Sequence, residues 1–334
     1  MASSDSPLTL DFFTVDVFTT SRFKGNPLAV VLIPASQRPL LPQETKQRIA
    51  REFNLSETVF LHIPEDPSST TREIDIFTIE SELPFAGHPT IGSAYLVLNH
   101  FGLKHVTHLI TKAGPIAINP QGGVEGGVVR AQIPHAVKIH SQTMGGVLDK
   151  HSGNQGIAAV IQNGLSQDDD IRAAELAAPV VSIVKGMTFV LVQLPSLSHL
   201  AKITTANRLY FEKLPSGVLQ DRGEWDAGFV ARYYYVLTED TVTDGQGKQK
   251  WTMQTRMTEL GFEDPATGSA ACTLASYLSL TEKADKGASF AILQGVEMGR
   301  RSEIVVEARV EGEDVKEILL GGTAVVVMNG SVLV

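Results

Sequence analysis

The sequence predicts an α+β protein of two pseudo-symmetric domains, each a curled, barrel-like, mostly antiparallel sheet around one central buried helix. Three observations carry that expectation. At roughly 100–200 residues per domain, 334 residues suit two domains. Alternating or continuous apolar runs, bounded by Gly, Pro and Asn, recur along the whole length, as strands do. One short frame also occurs twice, HPTIGSA at 88–94 and DPATGSA at 264–270, and each copy opens a strongly apolar segment.

Taken in order, LTLDFFTVDVF (8–18) alternates and reads as a first strand. Gly25-Asn26-Pro27 turns the chain into a second, LAVVLIP (28–34). PQETKQRIAREF (42–53) reads as a helix with Pro42 in its first turn, Ile49 and Phe53 on one face and Asn54 as its stop. SETVFLHI (56–63) and EIDIFTI (73–79) return to strand. The first frame then opens PTIGSAYLVLNHFG (89–102), apolar on every side, which marks a buried helix. Strands are expected at 107–111, 115–119 and 127–133, with GGVEGG (122–127) as a hairpin turn.

Around 135–150 the segment HAVKIHSQTMGGVLDKHSG breaks the apolar rhythm. It places an N-terminal domain at 1–135 and a C-terminal domain at 136–322, with the last strand, about 323–334, a candidate to pair back with the first domain. The second half offers apolar stretches at 157–162, 187–194 and 228–237, a helix near 168–177, and an exposed hairpin or loop at 238–250. The second frame opens another apolar helix, PATGSAACTLASYLSL (265–280). Strands around 303–310, 315–320 and 323–334 complete the chain, and Asn329-Gly330 predicts a tight hairpin within the last of them.

Composition excludes several function classes. A net charge of −9 with scattered basic residues argues against nucleic acid and anionic membranes as partners. No apolar run reaches the length of a membrane span. Cys272 is the single cysteine, so neither an internal disulfide nor a thiolate metal cluster is expected. With no secretory-type N-terminus, a cytoplasmic protein is expected. His100, His105 and His108 lack a nearby carboxylate and are not read as a metal site. No metal and no cofactor is called for.

Each frame places a proline early in a helix, a polar residue before it and small residues after it. Free N–H groups at such a start attract anions, and Gly92, Ser93, Gly268 and Ser269 leave room for a ligand to approach the backbone. Two such starts facing each other across a cleft would grip a carboxylate, with His88 and Asp264 on opposite walls. The plain alternative makes both residues helix caps, which suits Asp264 better than His88.

GNPLAVV (25–31), NLSETVFL (54–61), ELPFAGHPTIGSAYLV (82–97), EDPATGSAA (263–271) and QGVEMGRRSEI (294–304) come in the order and approximate spacing of the phenazine-biosynthesis isomerase (PhzF-like) family, which the sequence resembles over nearly its whole length. The resemblance implies the diaminopimelate epimerase-like fold, an active site in the cleft between the domains, and usually a homodimer. It also implies cofactor-free isomerisation of a small cyclic or unsaturated carboxylate. It carries the family's proton-shuttling glutamate onto Glu57, its helix-start histidine onto His88, its aspartate onto Asp264 and its serine onto Ser269. Gly87 and Gly268 correspond to the glycines whose amides face the substrate, while Asn26, Gln294 and Gly295 are carried over as cleft-lining positions.

A carboxyl that takes and returns a proton works best with its pKa near neutrality, and an apolar wall from Val59, Phe60 and Phe85 would raise Glu57. Read without the motif, Glu57 is a surface residue opening a strand. A lone cysteine excludes the two-thiol racemases of this fold. QTRMTELGFEDP departs from the family's Arg-x-Phe-x-Pro-Gly, and Arg301 stands where proline is common, so substrate identity stays open. An epimerase or racemase acting beside a carboxylate, and a non-catalytic binding protein on the same fold, are the alternatives.

Overall fold

A computed structural model describes residues 8–119, 127–225, 228–259 and 261–334, so the turn expected from GGVEGG lies, but for Gly127, outside the described residues. Two compact units divide the chain: Met1–Gln132 with Gly321–Val334, and Ile133–Leu320. The first unit runs β1 (Thr9–Val17), β2 (Asn26–Pro34), α1 (Gln43–Phe53), β3 (Thr58–Ile63), β4 (Thr71–Phe77), β5 (Glu82–Leu83) and α2 (Gly87–Tyr95). It continues with β6 (His108–Thr111), β7 (Gly114–Ala117) and β8 (Val129–Gln132). The second opens with β9 (Lys138–Ile139), α3 (Met144–Lys150), α4 (Gln155–Gly164), α5 (Asp169–Ala177), β10 (Val180–Val184), β11 (Gly186–Gln193) and α6 (Leu197–Ala201). It then runs β12 (Gly228–Leu237), β13 (Val242–Thr243), β14 (Gln249–Arg256), α7 (Gly268–Thr281), β15 (Ala288–Gln294), β16 (Ser302–Glu311) and β17 (Asp314–Gly322). The last strand, β18 (Ala324–Leu333), returns to the first unit and pairs antiparallel with β1.

Strand order in the first sheet is β18-β1-β2-β3-β4-β6-β7, and in the second β9-β10-β11-β12-β14-β15-β16-β17. Read from these ends, successive pairs are antiparallel, antiparallel, parallel, antiparallel, parallel and antiparallel in the first unit. The second unit repeats the same series. Each parallel step needs a crossover. The crossover from β4 to β6 carries α2, and the one from β14 to β15 carries α7. Both orders are open paths rather than closed barrels.

The two crossover helices are apolar all round because both are buried. Every residue of α2 from Gly87 to Ala94 is buried, and α7 buries Ala270, Cys272, Leu274, Ala275 and Leu278 among others. Gly92 lets α2 approach the sheet: a Cβ there would lie 2.5 Å from Leu28 Cδ2 and 2.9 Å from Val17 Cγ2. On the other face of the first sheet, α1 closes at Asn54 in the left-handed region (φ 51°), whose amide donates to Ala50 O. Leu10, Val31, Ile33, Leu41, Ile49 and Phe60 form the core beneath it.

Several elements depart from the sequence reading. β18 runs straight through Asn329-Gly330, so no hairpin forms there. Gly330 lies opposite Phe12, where a Cβ would come within 3.0 Å of that ring, so the glycine accommodates a neighbour instead of a turn. The apolar stretch at 157–162 is α4, capped by the Asn154 side chain. Strands β10, β14 and β15 are absent from the sequence reading; β10, VVSIV, carries a β-branched run that signals a strand, while β14 is masked by its polar residues. In β14 Trp251, Met253 and Thr255 are buried between lysine, glutamine and threonine.

Candidate active site

Glu57 sits at the entrance to β3, directly before buried Thr58, and His88 occupies the second position of α2. The register of β3 between β2 and β4 and the burial of α2 bring the two side chains together, with His88 Nδ1 3.1 Å from Glu57 Oε2. Both are withdrawn from solvent, with side-chain exposure of 4% for His88 and 19% for Glu57. A carboxylate only accepts, so the Nδ1–H of His88 is the donor when Glu57 is ionised. His88 Nε2 is buried and has no hydrogen-bond partner among the described residues.

Burial pushes the Glu57 carboxyl up, as the sequence led us to expect. The hydrogen bond from His88, the positive charge of that ring and the Ser56 hydroxyl outweigh it, and Glu57 lies below the usual carboxylate range. The expected upward shift is thereby corrected: in the free protein the group is set up as a carboxylate, the proton-accepting form.

The helix starts differ from the expected pattern. Helix α2 begins at Gly87, one residue before His88, with Pro89 in its first turn, where a missing N–H breaks no helical bond. Helix α7 begins at Gly268, three residues after Pro265, with Thr267 as its N-cap residue. Aligned by helix start, Gly87 matches Gly268 and His88 matches Ser269, whereas the repeated frames match Gly92 to Gly268. The frames are therefore offset by several residues in the structure. Gly92 and Ser93 are packed inside the first unit, not poised for a ligand.

In the second unit Asp264 is buried, three residues ahead of Thr267, the N-cap residue of α7. Its Oδ2 accepts from the Thr267 hydroxyl at 2.6 Å, and its amide donates to Met257 O at 2.9 Å. Beside it Arg256 holds Glu263 through two bonds, Nε to Oε1 at 2.8 Å and Nη2 to Oε2 at 2.7 Å. Gln294, at the end of β15, is wholly buried. Its amide oxygen accepts from the Thr267 amide and the Tyr233 hydroxyl, and its nitrogen donates to Asp264 O and to Thr267 Oγ1. Both amide N–H bonds are thus spent on protein. Gly295 follows with φ 70°, and a Cβ there would lie 2.7 Å from Arg300 O and 2.8 Å from Pro265 O. These contacts place Gln294 and Gly295 against the Asp264–Thr267 turn.

Asn26 is buried at the start of β2, opposite Val17 in the β1–β2 pair, beside Gly25 at φ 66°. Cys272 is fully buried in α7 and burial pushes its thiol up, so it offers no nucleophile. The sequence reading missed Thr267, Tyr233 and Arg256. A signal existed for the first: threonine directly before an apolar helical run is a favoured N-cap.

The sequence model of the phenazine biosynthesis-like protein family matches residues 15–330. The chain belongs to this family. Its relatives include an uncharacterized isomerase of Mesorhizobium japonicum, 32% identical over 98% of this chain and 99% of the relative. A trans-2,3-dihydro-3-hydroxyanthranilate isomerase of Pseudomonas fluorescens is 27% identical over 97% of this chain and 99% of its own. Among solved structures, a PhzF-family phenazine biosynthesis protein of Bacillus anthracis superposes with a TM-score of 0.67 at 22% identity, covering 98% of this chain and 100% of that one. The chain is accordingly an isomerase by class, on the PhzF fold.

Proposed function

We propose that the protein is a cofactor-independent isomerase that moves a proton on a small cyclic or unsaturated carboxylate, with Glu57 as its general acid/base. The observation that carries this reading is the buried Glu57–His88 pair, in which a histidine donor holds the glutamate ionised inside the fold. An ionised carboxylate takes a proton from a saturated carbon beside a double bond, and the C–H electrons become a new, shifted double bond. The carboxyl then returns its proton to the far carbon of the original alkene, so that no atom is gained or lost. Two helix starts free of side-chain caps, at Gly87 and at Gly268–Ser269, supply amides of the kind that hold a substrate carboxylate. Asp264 accepts from a substrate donor, and Asn26 contributes polar contact. The named substrate of the Pseudomonas relative, a dihydro-hydroxyanthranilate, makes ring carboxylates the first compounds to try. A cytoplasmic homodimer belongs to the same reading and is checked by light scattering of the purified protein.

The test is incubation in D2O with a panel of cyclic and unsaturated carboxylates, followed by NMR, for wild type and Glu57→Gln. Deuterium entering one carbon with a displaced double bond, reduced at least about 100-fold by the substitution, supports the isomerase. Equal exchange in both proteins removes Glu57 from the mechanism. Inversion of a stereocentre identifies an epimerase, and binding without exchange identifies a ligand-holding protein.

A further inference from the structure

We propose that Thr267 and Gln294 are positioning residues that fix Asp264 as a hydrogen-bond acceptor through a one-way relay of donors. The inference rests on the reading of Asp264 as a substrate contact and adds how that contact is oriented.

The relay's direction follows from its fixed ends. The Thr267 amide is a donor and Asp264 O an acceptor, and both meet the Gln294 side chain, at 3.1 and 2.9 Å. Gln294 therefore has one possible orientation, with its oxygen toward Thr267 N and its nitrogen toward Asp264 O. The remaining N–H of that nitrogen points to Thr267 Oγ1 at 3.0 Å. A hydroxyl that already accepts there turns its single proton elsewhere, and its other partner is Asp264 Oδ2 at 2.6 Å. Upstream, the Tyr233 hydroxyl donates to Gln294 Oε1 at 2.9 Å and pairs with Thr255 Oγ1 at the same distance.

Tyr233, Thr255 and Gln294 are buried, and solvent does not scramble the order. The relay ends on a carboxylate oxygen that receives a proton donor whatever the ligand does. This arrangement costs Thr267 its usual capping bond to α7. The cap is given up to orient the aspartate.

The test uses Thr267→Val, which keeps the shape and deletes the donor, and Thr267→Ser, which keeps it. With a substrate found by the D2O assay, Thr267→Val lowers kcat/KM roughly tenfold or more, the effect of one hydrogen bond to a charge, while Thr267→Ser stays within about threefold of wild type. In an Asp264→Asn background, Thr267→Val costs little more, because its effect runs through the carboxylate. Equal costs in both backgrounds, or no cost in wild type, overturn the relay. A second readout needs no substrate: the Thr267 hydroxyl proton exchanges slowly with water by NMR and becomes fast in Asp264→Ala. Fast exchange in both proteins also overturns it. Failure of the D2O assay alone leaves this second result standing and strikes only the isomerase reading.

Discussion

At the Glu57–His88 pair two opposing effects meet on one carboxyl, and the balance decides which proton state the protein rests in. Burial favours the neutral acid; the histidine hydrogen bond and charge favour the anion and win. Removing the histidine reverses the outcome. If Glu57 is the proposed general base, His88→Asn moves the acid limb of the kcat/KM profile to higher pH and lowers kcat/KM near neutrality. The stability linkage has the sign of a depressed carboxyl. The pair's contribution is present above the unfolded pKa of about 4.3 and disappears as pH falls through the lower folded value. Urea titrations of wild type and His88→Asn therefore converge in acid; a gap that widens below pH 4 counts against the assignment. The sequence made Glu57 and His88 legible through local motifs. It could not reveal their contact, 31 residues apart along the chain, nor the support of Asp264 by Gln294, 30 residues away. Such partners are set by strand register, which one short motif does not encode.

Among the elements, the turn that links Pro265 to Gly268 depends on the end of β15. Gly295 has a backbone conformation unfavourable for other residues and no room for a side chain between two carbonyl groups. Gly295→Ala is expected to cost about 2 kcal/mol or more in urea denaturation, and to reduce activity through displacement of the Asp264 turn. A loss under 0.5 kcal/mol would show that the backbone there yields easily. Helices α1 and α5 were readable because caps and stops sit within a few residues of them, Asn54 for one and Asp168 for the other. The twin frames misled for an equally physical reason. Pro, Gly, Ser and Ala serve helix starts and close helix packing alike, and here Gly92 does the second while Gly268 does the first. Asn329-Gly330 is similar: a favourable turn pair stays extended when pairing with β1 holds it there.

Across the whole molecule, the matching series of parallel and antiparallel pairs gives the two units one plan despite little shared sequence. That plan survives because it rests on burial of one apolar crossover helix against each sheet, which many side-chain sets satisfy. The second unit also buries Arg232 between Glu175 and Glu259, at 2.7 and 2.6 Å, a cluster absent from any local pattern since its members lie on α5, on β12 and just beyond β14. The first unit depends on both ends of the chain, because β18 covers one side of β1. Deleting residues 324–334 is expected to leave the first unit open to limited proteolysis, while Ile133–Leu320 persists as a resistant fragment. Equal resistance of the truncated and full-length proteins would contradict the role given to β18.

The same return of β18 sets an order of events on the ribosome. Ile133–Leu320 is a single uninterrupted stretch whose strands emerge in one run, whereas the outer edge of β1 is covered only by β18, with Met328 lying 314 residues after Thr14. One side of β1 meets β2 at once, but until β18 arrives its other edge stands exposed to any strand that passes.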